Sequence, residues 1–205
     1  PKVLNDRLLL GLKGTMSEFE LNLIRQRSFE AIQQKARRGE LRVLLPVGLC
    51  WVGPGRIDLD PDRRVQQAIH LVFTKMTELG SARQVLLWFR QEQVPLPALP
   101  RTPGPSVMTW KLPVYHSILA MLTNPMYAGA YAFGKTEVRT RIVDGRARKT
   151  EGHRKPPSAW TVLIRDHHPA YIAWAQYERT QAIIAANTNM KSRMERNAGR
   201  GGRGL

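Results

Sequence analysis

The sequence has little of what disulfides, metal sites and membrane spans require. Cys50 is its single cysteine, which excludes an internal disulfide and any zinc site built from several cysteines of this chain. No apolar run is long enough to span a bilayer, and no signal peptide is evident. We therefore expect an intracellular, reducing setting, with Cys50 as a small buried hydrophobe. The first residue, Pro1, and the closing GRGGRGL suggest ends cut from a longer protein.

Acidic residues are also scarce, with 16 Asp and Glu against 32 Lys and Arg in 205 residues. The net charge of +16 indicates a polyanionic partner, of which nucleic acid is the commonest. A ribosome-associated protein or one that binds an anionic membrane would carry a similar charge. A length of 205 residues is enough for one domain plus an appendage or for two small domains. Hydrophobic residues make up 42% of the chain, which is enough to form a core.

Residues 17–38 contain neither proline nor glycine and are rich in good helix formers, which predicts one long helix. Ser17 and Glu20 have the spacing of a capping box at its start, and Gly39 is placed to end it. The first half is apolar on two sides, whereas the second half is mostly polar with a basic end. We interpret this as a helix that is buried at its start and reaches solvent or a partner at its end. Residues 1–16 add a short apolar helical face, but two glycines argue against a stable isolated helix there.

The middle of the chain predicts a pair of amphipathic helices. Asp60, as the capping residue, and Pro61 mark the start of the first, which keeps apolar helical spacing as far as Gly80. Ser81 starts the second, over residues 82–93. The short turn between them is typical of a helix-turn-helix-like pair, although many helical hairpins share it. The predicted inward positions are Val65, Ala68, Ile69, Val72, Met76 and Leu79 in the first helix and Val85, Leu86 and Phe89 in the second.

Two less regular segments flank this pair, and a third helix follows them. The basic segment 40–51 is predicted as an extended arm or an edge strand, since it contains Pro46. Residues 95–105, with five prolines, are predicted as a loop without regular structure. In the third helix, at about residues 113–122, the outer face is polar and aromatic, which suits the reading of a DNA groove, although an ordinary solvated face looks the same. Val114, Ile118, Met121 and Leu122 would face the core, and Lys111, Tyr115, His116 and Ser117 the outside.

The last third of the chain changes to strand periodicity. Residues 136–143 alternate β-branched and charged side chains, and the DG dipeptide after them is a strong hairpin signal. Residues 160–164 predict a returning strand, residues 172–187 a final helix, and residues 188–205 a flexible basic tail. The hairpin region suits a phosphate backbone because of its positive charge. Its basic residues are Lys135, Arg139, Arg141, Arg146, Arg148, Lys149, His153, Arg154 and Lys155.

His167 and His168 are adjacent in the sequence, a pattern that raises the question of a metal site. Neither a cysteine nor an acidic cluster accompanies them, apart from Asp166. Structural metal sites are usually built from several such ligands. We interpret the histidines as a structural or solvated pair and expect neither a metal nor a cofactor.

Several segments taken together resemble the large serine recombinases of the resolvase/invertase superfamily. The segment RLLLGLKGTMSEFELNLIRQRSFEAIQQKARRGE is similar to the end of their catalytic domain and the long helix that follows it. Each further motif is loose alone, but their order and spacing are specific and extend over nearly the whole chain. The segments that resemble the recombinase DNA-binding domain are LPVGL, DPD, GSARQVLLWF, WKLPVYHSILAMLTNPMYAGAY, WTVLIRDHHPAYI and QYERTQ.

This resemblance implies an α+β fold, in which a long linker helix precedes a mixed helical, helix-turn-helix-like DNA-binding domain with a small antiparallel hairpin or sheet. Residues 1–39 would be the C-terminal helices of the catalytic domain, residues 40–187 the recombinase domain, and residues 188–205 the tail. The implied function is binding of attachment-site DNA for strand exchange in integration or transposition. The implied partners are double-stranded DNA and a second copy of the chain, with a tetramer in the synapse of the intact protein. The resemblance implies no membrane partner, no small-molecule ligand and no cofactor. It also implies a cytoplasmic protein encoded by a bacterium, phage or mobile element.

Two positions of the catalytic region carry over by this resemblance. Arg27 aligns with an arginine that helps to bind the scissile phosphate, and Glu20 aligns with an acidic residue of structural or interface role. No serine of this chain matches the family's nucleophile, so we expect the fragment alone to be inactive. The residues implied as a dimer or domain interface are Phe19, Leu21, Leu23 and Ile24.

The resemblance also distributes the DNA contacts. The helix at 113–122 would lie in the major groove, the segment around 40–47 would cross the minor groove, and the basic hairpin would hold phosphates. A winged-helix-like transcriptional regulator and an RNA- or ribosome-associated protein are the alternatives. The predicted DNA-binding residues are Arg38, Arg42, Arg83, Lys111, Tyr115, His116, Ser117, Lys135, Arg139, Arg141, Arg146, Arg148 and Lys149.

Overall fold

The computed structural model describes residues 2–53, 55–99, 108–143 and 145–198, with side chains between residues 16 and 188 of these ranges. The chain divides into two compact units, Pro1–Arg42 and Val43–Leu205. Helices and small antiparallel sheets together confirm the predicted α+β class. The elements are α1 (Lys2–Arg37), β1 (Leu49–Val52), β2 (Arg56–Leu59), α2 (Arg63–Leu79), α3 (Ala82–Gln91), β3 (Leu96–Ala98), β4 (Thr109–Lys111), α4 (Tyr115–Leu122), β5 (Tyr131–Phe133), β6 (Thr136–Val143), β7 (Arg146–Arg154), β8 (Val162–Ile164) and α5 (Trp174–Ala198).

Helix α1 is longer than the sequence predicts. It starts at Lys2 and passes through Ser17, so the predicted capping box is not a helix start. Gly11 and Gly14 lie inside the helix. A glycine costs roughly 0.5–1 kcal/mol within a helix, but extending a helix that has already nucleated adds a hydrogen bond per residue and offsets this cost.

The C-terminal end of α1 is as predicted. Gly39 adopts a φ of 74°, the left-handed conformation that glycine reaches without steric cost. Its N–H donates to the Ala36 carbonyl at 3.0 Å, and the Glu40 N–H donates to the Lys35 carbonyl at 2.9 Å. This pair of bonds is a Schellman motif, which satisfies carbonyl groups that the helix end leaves without partners.

Helix α2 begins later than predicted. Asp62, not Asp60, caps it, since the Asp62 carboxylate accepts the backbone N–H of Arg64 at 2.9 Å. Asp60 instead accepts the N–H of Asp62 at 2.9 Å and orders the turn before the helix. The predicted end is confirmed, because Gly80 has a φ of 63° and its N–H donates to the Met76 carbonyl.

The core of the second unit lies among α2, α3 and α4, with α5 packed against α4. Two residues predicted to face inward do not. Leu79 is 39% exposed at the C-terminal end of α2, and Val114 is 54% exposed because it precedes α4 and does not follow its periodicity. Phe73 is buried although it is not among the predicted inward positions. The predicted residues found buried are Val65, Ala68, Ile69, Val72, Met76, Val85, Phe89, Ile118, Met121 and Leu122, and Leu86 is half-buried.

Short strands form two-stranded antiparallel sheets around these helices. β1 and β2 make one pair, so only the end of the predicted arm 40–51 is a strand. The prediction that residues 95–105 lack regular structure is wrong at β3, which pairs with β4 and sets Pro97 opposite Trp110. A two-stranded ladder tolerates proline because half of each strand's N–H groups point away from the partner.

The β6–β7 hairpin is inserted between β5 and β8, which pair with each other. Gly145 in its turn has a φ of 72°, and the predicted hairpin is confirmed, although Asp144 lies outside the described residues. The returning strand predicted at 160–164 is shorter, because a 3-10 helix at Pro157–Ala159 precedes it. Helix α5 continues to Ala198, so the tail predicted as flexible is helical up to that residue, and residues 199–205 lie outside the description.

Two buried tyrosines hold the segment before β1 against the core. The Tyr127 hydroxyl donates to the Val47 carbonyl at 2.9 Å, and the Tyr171 hydroxyl donates to the Gly48 carbonyl. Burial raises the pKa of Tyr171 to about 12, so its hydroxyl stays protonated and remains a donor at neutral pH. Val43, Leu45 and Val47 pack on the core as a result, and Leu44 between the first two is 97% exposed.

Candidate nucleic-acid interface

The register of the β6–β7 hairpin places four arginines on one face. Arg141 lies directly opposite Arg148, and Arg139 and Arg146 lie two positions from them along their strands. In an antiparallel pair, directly opposed residues share a face, and so do residues two positions apart. We call Arg139, Arg141, Arg146 and Arg148 the arginine face. The sequence predicts all four as phosphate ligands, but only the register brings them together.

The opposite face of the hairpin is less charged. Thr140 lies opposite Lys149, and Ile142 lies opposite Ala147. The Ile142 side chain is 79% exposed. Lys149, also predicted to bind DNA, therefore lies on the other side of the ribbon from the arginine face.

The arginine face concentrates positive charge that protein carboxylates balance only in part. Arg139 pairs with Glu137 at 2.7 Å, and the hydrogen bond from Arg139 lowers the pKa of the Glu137 carboxyl. In the part of the chain that the structure describes, no ion pair involves Arg141, Arg146 or Arg148. Like charges directly opposite each other destabilise a β-ladder. An anion bound across this face would remove that repulsion.

The start of α4 carries the residues predicted to read bases. Tyr115 is 48% exposed and His116 is exposed. Lys111 is also exposed but ends strand β4 and is not part of the helix. The Ser117 hydroxyl accepts the Val114 N–H at 3.1 Å and donates to the Val114 carbonyl at 2.7 Å, so it closes the first turn of α4.

The other predicted DNA ligands are spread over both units. Arg38 and Arg42 belong to the first unit, where the Arg38 guanidinium pairs with Glu40 at 2.9 Å. Arg83 is exposed in the first turn of α3, in the second unit. An exposed ion pair such as Arg38–Glu40 contributes little stability, so it leaves Arg38 able to exchange its partner for a phosphate.

Helix α1 exposes the residues predicted as an interface. Phe19 is 68% exposed, Ile24 59% and Leu21 49%, while Leu23 is half-buried. The burial predicted for the start of this helix depends on a catalytic domain or a second copy, so the interface stays a prediction. Arg27, the predicted phosphate ligand, is exposed on the same helix, as is Glu20.

A basic cluster lies at the base of the hairpin, where the sequence predicts its members as basic hairpin residues but does not show that they line one cavity. Lys135, just before β6, and Arg154 and Lys155, at the end of β7, line one cavity together with Trp160. Desolvation by burial and the nearby Arg154 charge lower the pKa of Lys135. Lys135 and Arg154 are far apart in sequence, so only the closing of the hairpin brings them together.

The two histidines hold a turn in place. His168 is 8% exposed, and its Nε2 lies 2.8 Å from the Met126 carbonyl, so Nε2 carries the proton that it donates. The Nδ1 atoms of His167 and His168 are 3.2 Å apart. Burial lowers the pKa of His168, which keeps the ring neutral and able to accept from His167. This geometry agrees with a structural role for His168.

The described ranges also bear on a metal site and on a membrane span. There, no group of three or more His, Cys, Asp or Glu side chains is placed to hold a metal ion. No described helix is both long enough and apolar enough to cross a membrane. Cys50 is half-buried with its thiol 3.5 Å from the Leu59 carbonyl, and burial raises the pKa of that thiol.

The chain is similar in sequence to a protein of Sinorhizobium fredii (strain NBRC 101917 / NGR234), the uncharacterized protein y4bA/y4pH. The two are 43% identical over 188 residues, which is 91% of this chain and 26% of that protein. The chain thus spans about a quarter of the length of this relative.

Two solved structures match about three quarters of this chain at low sequence identity. A crystal structure of an LSR–DNA complex matches 77% of this chain and 37% of its own, with 12% identity and a TM-score of 0.47. A structure from work on the sequence requirements of the Listeria innocua prophage attP site matches 74% of this chain and 48% of its own, with 13% identity and a TM-score of 0.44.

The Recombinase family matches residues 63–187, more than half of the chain. This range starts at the first residue of α2 and ends within α5, so it includes the helical core, the hairpin and the cavity at its base. The chain therefore belongs to the Recombinase family, in agreement with the large serine recombinase motifs in its sequence.

Proposed function

We propose that this chain binds duplex DNA as the recombinase domain and linker helix of a site-specific serine recombinase. The arginine face of the hairpin is the observation that carries the proposal. It presents four guanidinium groups on one side of a two-stranded ribbon, and a guanidinium matches the geometry of phosphate oxygens. The family match over residues 63–187 favours this function over a winged-helix-like regulator.

Different elements would contact the phosphates, the major groove and the minor groove. The arginine face would hold phosphates and contribute affinity without sequence preference. The start of α4, with exposed Tyr115 and His116, would enter the major groove beside Lys111. The segment around 40–47, with Arg42 and Leu44 exposed, would cross the minor groove.

The role of Arg27 is a proposal about the intact recombinase. A planar guanidinium on α1 would hold two oxygens of the scissile phosphate and stabilise the charge that develops during strand exchange. Strand exchange through a phosphoserine bond retains the energy of the phosphodiester, so we expect it to need no metal or energy-rich cofactor.

The proposed function is tested by measuring how Lys111→Ala/His116→Ala changes binding to three nucleic acids across a salt series. The three are a duplex selected from a random-sequence library, a random duplex and a structured RNA. We expect the native chain to prefer duplex DNA to RNA at every salt concentration. The double variant should lose about 30-fold or more in affinity for the selected duplex, since each good base contact contributes about 1–3 kcal/mol. Its affinity for the random duplex should change little.

Arg63→Ala is the matched control, because Arg63 is an exposed cation at the start of α2 with no assigned DNA contact. It should leave the preference for the selected duplex intact. Equal losses on selected and random duplexes would mean that α4 is not the reader. A preference for RNA would overturn the proposed function itself.

We also propose that the exposed apolar residues of α1 bind a second copy of the chain. Sedimentation should show a monomer–dimer equilibrium that Phe19→Ser/Ile24→Ser weakens about 100-fold or more, since burying each such side chain contributes about 1.5–3 kcal/mol. Phe29→Ser serves as the control, because Phe29 is 59% exposed on the same helix but outside the predicted interface. A native chain that stays monomeric at high concentration would contradict the proposal.

A further inference from the structure

A cavity of about 410 Å³ lies at the base of the hairpin. The end of α4, both strands of the hairpin, the 3-10 helix Pro157–Ala159 and helix α5 all contribute to its walls. Three cations line it, from Lys135, Arg154 and Lys155, together with the rings of Trp160 and Tyr177. Its lining includes no carboxylate. Three positive charges around a concave site favour an anion.

The cations of this cavity lack carboxylate partners in the described ranges, where no ion pair involves Lys135, Arg154 or Lys155. The Lys155 charge contributes to lowering the pKa of the Glu137 carboxyl, although the hydrogen bond from Arg139 lowers it more. Burial raises the pKa of Tyr177 to about 12, so no phenolate neutralises the site. Lys135 is half-buried, and its pKa is lowered by burial and by Arg154. A bound anion would offset this crowding of positive charge.

The backbone holds the two lysines in place. The Lys155 N–H donates to the Lys135 carbonyl at 2.9 Å, and the Trp160 indole N–H donates to the Lys155 carbonyl at 3.0 Å. Gly134, just before Lys135, has a φ of 72°, and a methyl group there would lie 2.1 Å from the Thr161 hydroxyl oxygen. The chain can therefore approach this closely only at a glycine, which fixes where Lys135 leaves the sheet.

Arg154 is positioned by a different element. Its guanidinium donates to the Thr123 hydroxyl at 3.3 Å, and that hydroxyl donates to the Leu119 carbonyl at 2.8 Å. The Tyr177 hydroxyl donates to the Thr123 carbonyl at 3.3 Å, which ties α5 to the same wall. The arginine keeps further donors available, since a guanidinium has five N–H groups.

We propose that this cavity is a phosphate-binding site, in which Lys135, Arg154 and Lys155 hold the phosphate oxygens. The phosphate is either part of a DNA backbone or a free phosphate group, and both share the same recognition chemistry. The site differs from the arginine face because it is concave and lies at the fixed end of the hairpin. Only the DNA arm of its test depends on the proposed function.

The test uses the full chain and follows the Trp160 indole N–H by NMR, because that proton lies in a hydrogen bond to the Lys155 carbonyl. Inorganic phosphate is titrated against chloride at constant ionic strength. We expect a saturable shift of this signal, with an affinity that falls about tenfold or more in Lys135→Gln and in Lys155→Gln, because hydrogen bonds to charged groups are strong. Arg63→Gln removes one charge away from the cavity and should leave the titration unchanged. A shift that does not saturate, or one that both lysine variants retain, would overturn the site.

The second arm measures duplex DNA affinity for the same variants. A matching loss would show that the phosphate belongs to DNA, whereas saturable phosphate binding with native DNA affinity would show that the site takes a free phosphate. Both results support the site. If the native chain binds DNA but shows no saturable phosphate binding, and the lysine variants keep the native DNA affinity, the site is overturned alone. If the native chain binds phosphate saturably but does not bind DNA, the proposed function is overturned alone.

Discussion

Replacing Arg139, Arg141, Arg146 and Arg148 together by Gln is expected to lower affinity for duplex DNA about 10²–10³-fold near physiological salt. The four side chains share one face of the hairpin, so a single phosphate backbone can meet them together. Each phosphate contact that is lost reduces the salt dependence of binding by about one ion. We therefore expect the slope of log affinity against log salt to flatten by about three to four. The loss should be the same for every DNA sequence, because phosphates carry no sequence information.

Lys149 of the same hairpin serves as the control for the arginine face. Lys149 is adjacent to Arg148 but lies on the opposite face, opposite Thr140. Arg148→Gln should weaken binding several-fold, while Lys149→Gln should have a smaller effect although it removes the same charge. Equal effects would show that net charge, and not the arginine face, determines affinity. A loss restricted to one DNA sequence would contradict the assignment of the face to phosphates.

Gly48→Ala is expected to destabilise the second unit by about 3 kcal/mol. Gly48 has a φ of 87°, and a methyl group there would lie 2.0 Å from Ile69 Cδ1 and 2.8 Å from the Tyr171 hydroxyl oxygen. Ile69 is fully buried in the core, where close packing resists displacement of its side chain. The Gly48 carbonyl also accepts from Tyr171 and, at 2.9 Å, from the Asp60 N–H, so a shift of this backbone breaks both bonds.

Urea unfolding followed by tryptophan fluorescence measures this loss, with Gly80→Ala as the control. Gly80 has a φ of 63°, but nothing lies within 4 Å of a methyl group placed there. Its replacement isolates the backbone cost, about 1 kcal/mol. If the two variants unfold at the same urea concentration, the packing around Gly48 is looser than the structure indicates.

Helices with local start and stop signals were predictable from the sequence. Gly39 and Gly80 end α1 and α2 as expected, because a left-handed glycine at a helix end depends on neighbouring residues alone. The start of α1 was not predictable in this way, since Ser17 has a capping pattern but the helix continues through it. A capping residue marks a start only when the preceding residues leave the helix.

The strands and the arginine face were not predictable from local sequence, because they depend on pairing with another strand. β3 and β4 are three residues each, and Pro97 in a strand is stable only because the partner strand is there. The arginine face follows from the register, and a β-bulge between Glu137 and Arg139 shifts that register. Charge counts and spacing predicted which hairpin residues are basic. They did not predict which of them share a face, because a shift of one residue moves every side chain of a strand to the other side.

Because β5 and β8 pair with each other, the ribbon between them can change length without disturbing the helical core. β6 has eight residues, which corresponds to an extended length of about 26 Å at roughly 3.3 Å per residue. Adding or removing two residues from each strand would alter this reach by about 7 Å and keep the same side chains on the same face. Under the proposed function, insertions here would change the length of DNA that the ribbon can contact without altering the helical core.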